Sequence, residues 1–205
     1  MKVKICGITN STDAHNAISL GVDALGVILF PDSPRYVEPD SAVDLFSDFS
    51  AFVNRVGVFV NQPIELVNDM AKRCKLDYVQ LHGDESVEFC QQCHVKVIKA
   101  FRVSKLDDIN DISRYQGFVN AVLLDTKING EYGGTGQSFD WSIAIAARDY
   151  DIPLILSGGI NITNVKKAVE LVNPYAIDLS SGVEELPGKK DYQKMEELMR
   201  YLRVE

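Results

Sequence analysis

The chain has 205 residues, 46% of them hydrophobic and 24% charged, and its 21 basic and 29 acidic side chains leave a formal net charge of −8. That length and apolar content suit one globular domain over residues 1–205 with a substantial core. The acidic balance argues against a nucleic-acid partner, which would need a basic face, and no apolar run reaches the roughly 18–20 residues of a membrane span.

The first element is a short alternating strand, VKIC, that stops at Cys6 and gives way to the turn GITN. This start lacks the apolar stretch of a secretory leader, so a cytoplasmic location is expected. STDAHNAISLG then reads as a helix, ALGVILF as a strand, EPDSAVDLFSDF as a helix, RVGVFV as a strand and PIELVNDMAKRC as a helix. The rhythm continues through YVQLHG, DESVEFCQQC, VKVIKAF, SKLDDINDISRY and AVLLD. After the glycine-rich TKINGEYGGTGQSFDW it resumes with DWSIAIAARDY, PLILSG, NITNVKKAVELV, YAIDLSS and KKDYQKMEELMRYLR. Eight β-branched, nearly continuous apolar runs alternate with eight segments of helical period. Strands covered on both faces read in this way, and strict alternation implies right-handed crossovers and a parallel sheet. The count of eight favours a closed (β/α)8 TIM barrel over an open doubly wound sheet.

A barrel makes a sharp functional statement, because its active site lies at the C-terminal strand ends. The polar residues there are Cys6, the loop from Pro31 to Arg35, Asn61, His82, Arg102, Asp125, Ser157 with Gly158 and Gly159, and Asp178 with Ser180, Ser181 and Gly182. SGGIN and SSGVE, after the seventh and eighth strands, offer small residues where backbone N–H groups could converge on a phosphate. GVEELPG has room for the short extra helix that often accompanies such a site. Asp125, at the tip of a buried strand, is a candidate general acid or base, and the loop over 127–139 could close on a ligand. Cys6 faces the mouth, where a thiolate could act as nucleophile or base. Arg35 could clamp a carboxylate or be an ordinary surface arginine. His82 could hydrogen-bond within the site, while His15 reads as a surface residue. Cys90 and Cys93, followed by His94, form a CxxC pair with no second pair to complete a zinc site, so a structural role is expected and no metal is assigned. GGTG lacks the lysine of a Walker loop, and no dinucleotide fingerprint appears. The residues thus point to cofactor-free acid–base chemistry on a small phosphorylated molecule.

KICGIT, FPDSPRYV, VGVFV, VQLHGDE, LLDT, YGGTGQSFDW, LSGGI and SSGVEELPGKKD occur in this order from Lys4 to Asp191. Together they resemble the phosphoribosylanthranilate isomerase family of tryptophan biosynthesis. The resemblance implies an Amadori rearrangement of N-(5-phosphoribosyl)anthranilate to the 1-deoxyribulose 5-phosphate, without a cofactor. It implies Cys6 as general base, Asp125 as general acid and Arg35 as the partner of the anthranilate carboxylate. It also implies phosphate binding by Gly158, Gly159, Ser181 and Gly182, and places His82 and Asp178 near the site. Asp32 and Gln137 stand where many members carry a basic residue. A monomer is expected ahead of a dimer, with the small-molecule substrate as the partner. Two other readings compete: the related sugar-phosphate isomerase of histidine biosynthesis, which has an aspartate in place of Cys6, and a non-catalytic barrel that binds a phosphorylated metabolite.

Overall fold

A computed structural model describes residues 1–49, 51–127 and 138–203. Eight parallel strands close into a barrel in chain order: β1 Lys2–Cys6, β2 Ala24–Ile28, β3 Asn54–Phe59, β4 Tyr78–Leu81, β5 Lys96–Val103, β6 Ala121–Thr126, β7 Leu154–Leu156 and β8 Ala176–Leu179. Closure comes from β1, which pairs with β2 on one side and β8 on the other. The helices between strands are α1 Ser11–Ser19, α2 Pro39–Ser47, α3 Ile64–Arg73, α4 Val87–Cys90, α5 Trp141–Ala147 and α6 Val165–Val172, and α7 Tyr192–Arg203 ends the fold. The (β/α)8 expectation from the sequence is met.

Alternation along each strand divides the apolar residues between two cores. Val3, Ile5, Leu25, Val79, Leu124, Leu156 and Ile177 point outward into the layer between barrel and helices. A smaller cluster of Val56, Ile98, Ala100, Ala121, Leu123, Ile155 and Ala176 fills the barrel interior. Each large aliphatic side chain buried here contributes about 1.5–3 kcal/mol of transfer free energy.

Local chemistry explains where the helices begin. Asn10 accepts from the Asp13 N–H at 2.9 Å to cap α1, Pro39 opens α2, and Asp140 accepts from the Ser142 N–H at 3.0 Å to cap α5. Side-chain caps of this kind satisfy N–H groups that the first helical turn leaves unpaired.

Two elements differ from expectation. The fifth crossover, Leu106–Tyr115, is a 3-10 helix and not an α-helix. Its apolar residues Leu106, Ile109, Ile112 and Tyr115 recur every third position, which lines them up at three residues per turn, and Ile109 and Ile112 are buried. The stretch GVEELPG holds a single 3-10 turn at Ser181–Val183 and then a small antiparallel hairpin, β9 Glu184–Leu186 and β10 Lys189–Lys190, instead of an extra helix. This hairpin is tied to the first βα unit, because the Lys190 N–H donates to Asp13 at 2.7 Å and the Thr9 hydroxyl donates to the Gly188 carbonyl.

Candidate active site

The nine residues to which the family resemblance gives a place in the site line one cavity at the C-terminal end of the barrel: Cys6, Arg35, His82, Asp125, Gly158, Gly159, Asp178, Ser181 and Gly182. The strands that carry them are spread around the barrel, so closure of the sheet is what gathers them. Asn61 and Arg102 are not among the residues lining this cavity. The YGGTG segment lies outside the described residues.

Asp125 lies one residue before the end of β6 and is buried; its Oδ1 accepts from the Thr126 N–H at 2.8 Å. His82, just past β4, holds Nε2 at 3.3 Å from Asp125 Oδ2, close enough to form an ion pair once the ring is protonated. Gln80, two residues earlier and on the same face of β4, meets His82 Nδ1 at 2.9 Å. With the Gln80 amide donating there, the neutral ring carries its proton on Nε2, facing the carboxyl.

Gly158 and Gly182 set the backbone of the two loops between Asp125 and Cys6. Gly158 has φ 82°, and a Cβ there would come within 2.5 Å of Thr126 Oγ1 and 3.0 Å of Asp125 Oδ1. A Cβ on Gly182 would collide with the Ile160 carbonyl oxygen, so the β7 and β8 loops touch backbone to backbone. Only glycine allows this approach, and it leaves small residues of both loops converging on the cavity. On the β1 side, Asp178 of β8 accepts from Lys4 Nζ at 2.9 Å, with both side chains buried.

Arg35 is buried and not an ordinary surface residue. Its Nε and Nη2 grip Glu184 at 2.9 and 2.7 Å, and Lys190 Nζ reaches the same carboxylate at 2.6 Å. The bidentate clamp expected of this guanidinium is therefore made first with a carboxylate of the protein itself. Burial raises the Glu184 carboxyl, but the Arg35 hydrogen bonds and the Lys190 charge more than offset it, and the group is held below its ordinary value.

Burial pushes the Cys6 thiol above its ordinary value; the Lys4 ammonium is the strongest opposing influence. Burial lowers the Lys4 ammonium, but the charges and hydrogen bonds of Asp178 and Cys6 together more than offset it, and the group is held above the ordinary lysine value. The other cysteines are different. Burial holds Cys74 and Cys93 at about 11 and Cys90 at about 12. Cys93 Sγ lies 3.8 Å from the Phe89 carbonyl, as a capping thiol at the end of α4. These thiols face the outer core, which fits the structural reading of the CxxC pair, and no metal-ligand cluster occurs among the described residues.

Four residues of the site went unread in the sequence: Lys4, Gln80, Glu184 and Lys190. The first two carried a signal, since each sits two residues before a candidate and so shares its strand face. The other two had none, because they act through a hairpin that only the fold reveals.

A closed eight-stranded parallel barrel with titratable side chains and paired glycine turns around a cavity at its C-terminal end defines the active-site arrangement of a TIM-barrel enzyme. A family model described as N-(5'phosphoribosyl)anthranilate (PRA) isomerase matches residues 3–200. The chain is 49% identical over 200 residues to the N-(5'-phosphoribosyl)anthranilate isomerase of Geobacter metallireducens, covering 98% of each chain. The solved phosphoribosyl anthranilate isomerase of Thermotoga maritima superposes with a TM-score of 0.91 at 44% identity, covering 98% of both chains; the enzyme of that organism is described as dimeric. A further structure, 41% identical with a TM-score of 0.88 and covering 98% of this chain and 97% of the other, is a phosphoribosyl anthranilate isomerase in complex with reduced 1-(o-carboxyphenylamino)-1-deoxyribulose 5-phosphate. The chain belongs to the N-(5'-phosphoribosyl)anthranilate isomerase family, and it is an isomerase.

Proposed function

We propose that the protein isomerises N-(5-phosphoribosyl)anthranilate to 1-(2-carboxyphenylamino)-1-deoxyribulose 5-phosphate by acid–base catalysis, with Asp125 as acid and Cys6 as base. The observation that carries this reading is that Cys6 and Asp125 lie three strands apart on one cavity, with the β7 and β8 glycine loops between them. A phosphate held by backbone N–H groups of Gly158, Gly159, Ser181 and Gly182 would place the sugar across both groups.

Asp125 delivers its proton to the furanose ring oxygen as the nitrogen lone pair opens the C1′–O bond, and a protonated Schiff base results. Cys6, as thiolate, removes the proton from C2′, and that electron pair neutralises the iminium to give an enolamine. Tautomerisation to the ketone completes the rearrangement. His82 stands beside the Asp125 carboxyl, with Nε2 at 3.3 Å. The Arg35 edge not gripped by Glu184 faces the aromatic carboxylate, so Glu184 and Lys190 orient the guanidinium that reads the substrate. The reaction needs no cofactor or metal. The catalytic unit is the single domain 1–205, working in the cytoplasm as a monomer; size-exclusion chromatography with light scattering would reveal a dimer instead.

The test is loss of anthranilate-type fluorescence when purified protein meets freshly made substrate. Cys6→Ala and Asp125→Asn should each lower kcat by about 10²-fold or more, the usual scale for an acid–base group. Near-normal turnover in either variant removes that residue's role. No turnover by the unmodified protein leaves a phosphate-binding barrel.

A further inference from the structure

Lys4 and Cys6 sit two residues apart on β1, so both side chains enter the barrel on the same face. The strand alongside is β2, and Gly26 is the residue in register with Cys6. A Cβ on Gly26 would stand 2.8 Å from Cys6 Sγ and 3.1 Å from Lys4 Cε and Nζ. The thiol and the ammonium group therefore share the space that a missing side chain leaves open. The ammonium cannot drift away, because Asp178 of β8 holds Nζ at 2.9 Å from the far side and both partners are buried.

From this arrangement we infer that Lys4 is a positioning residue for catalysis, the fixed counter-charge of the Cys6 thiolate, with Gly26 as the gap that lets the two groups meet and Asp178 as the anchor of the ammonium. The inference rests on the proposed role of Cys6 as base. When Cys6 ionises, its proton goes to solvent and Lys4 keeps its own. The charge created next to Nζ is then stabilised in a site poor in water, where an opposite charge within about 4–6 Å typically moves a pKa by 1–3 units.

The groups facing Cys6 come from four elements. Lys4 on β1 and Lys190 on the hairpin favour the thiolate, and Asp178 on β8 opposes it. Arg35, from the loop after β2, is coupled to the same charge. Lys190 and Arg35 are both committed to Glu184. Lys4 is likewise paired with Asp178, but it is the cation that shares the Gly26 gap with the sulfur. Lys4 thus outranks the other cations as the influence favouring ionisation.

The experiment follows the pH dependence of Cys6 alkylation by iodoacetamide in the native protein, read by peptide mass so that Cys74, Cys90 and Cys93 are counted separately. Lys4→Met is compared with Lys4→Met/Asp178→Asn, which removes both charges and so leaves no unpaired carboxylate buried. Gly26→Ala keeps every charge and fills the gap. In the variants that retain native circular dichroism, the alkylation midpoint should rise by about 1 pH unit or more in Lys4→Met and Gly26→Ala, and by less in the double variant, because the Asp178 charge that opposes the thiolate is removed with Lys4. For Lys4→Met and Gly26→Ala, the acid limb of kcat/KM should rise with it. An unmoved midpoint in the folded double variant together with an unmoved midpoint in Gly26→Ala overturns the proposal and leaves Lys4 as packing. Alkylation needs no substrate, so a barrel that failed to turn over phosphoribosylanthranilate would still report whether Lys4 controls the thiol.

Discussion

Two lysines are buried in the strands of this barrel, and they do opposite jobs. Lys4 on β1 and Lys99 on β5 are each matched to one carboxylate, Asp178 at 2.9 Å and Glu85 at 3.0 Å. Lys4 points into the barrel beside the Cys6 thiol. Lys99 has the other parity and points out, where its Nζ also donates to the carbonyls of Gly83 at 2.7 Å and Leu81 at 3.3 Å. Glu85 in turn accepts from the N–H groups of Asn61 at 2.8 Å and Gly83 at 3.0 Å. That second network fixes the loop that carries His82. The same pair of charges is thus an electrostatic tool on the inner face and a loop fastener on the outer face, and the side of the strand decides which.

Breaking the outer pair should have the largest effect on stability. Lys99→Met leaves Glu85 buried without its cation, which typically costs about 3–5 kcal/mol, and urea unfolding should show it. The acid limb of kcat/KM should stay where it is in the folded fraction. A shifted limb with unchanged stability would collapse the distinction between the two lysines.

The inner pair is sharpened by the unmodified enzyme itself. Burial raises the Cys6 thiol, so the group proposed as the base is mostly protonated near neutral pH. Below that pKa, kcat/KM should climb about tenfold per pH unit, as the thiolate fraction does. A profile flat across neutral pH would show that the reactive form is not an ionising Cys6.

The smallest effect belongs to the third buried cluster, Arg35 with Glu184 and Lys190. Glu184 is held below its ordinary 4.5 in the fold, so its contribution is complete above that value and is lost as pH falls through the lowered one. Thermal unfolding followed from about pH 6 to pH 3 should therefore decline less steeply in Glu184→Gln than in the unmodified chain. An equal decline would mean that other carboxylates dominate acid unfolding.

The residues that end each strand were legible in the sequence because a barrel obliges them to meet, and Cys6, Asp125, His82 and the two glycine turns were found in that way. Lys4 was legible in principle through strand parity, yet a lysine in an alternating run reads as solvent-facing until closure puts its face inside. Asp178 is 174 residues away from it, and no local pattern announces that contact. Arg35 illustrates the limit differently. Its loop and its capacity for a carboxylate were readable, but the partner that holds its fork sits on a hairpin in the stretch that was expected to hold a short extra helix.

What the sequence by itself determined was the order of eight apolar runs, the positions of the polar residues that end them and the glycines that permit close backbone approach, since these follow from local period and steric freedom. What only the tertiary structure decided was which charges share a space: Lys4 with Cys6 over Gly26, Arg35 with Glu184, His82 with Asp125. Electrostatic pairing depends on distance through a closed, dry interior, and that distance exists only after β8 has returned to β1.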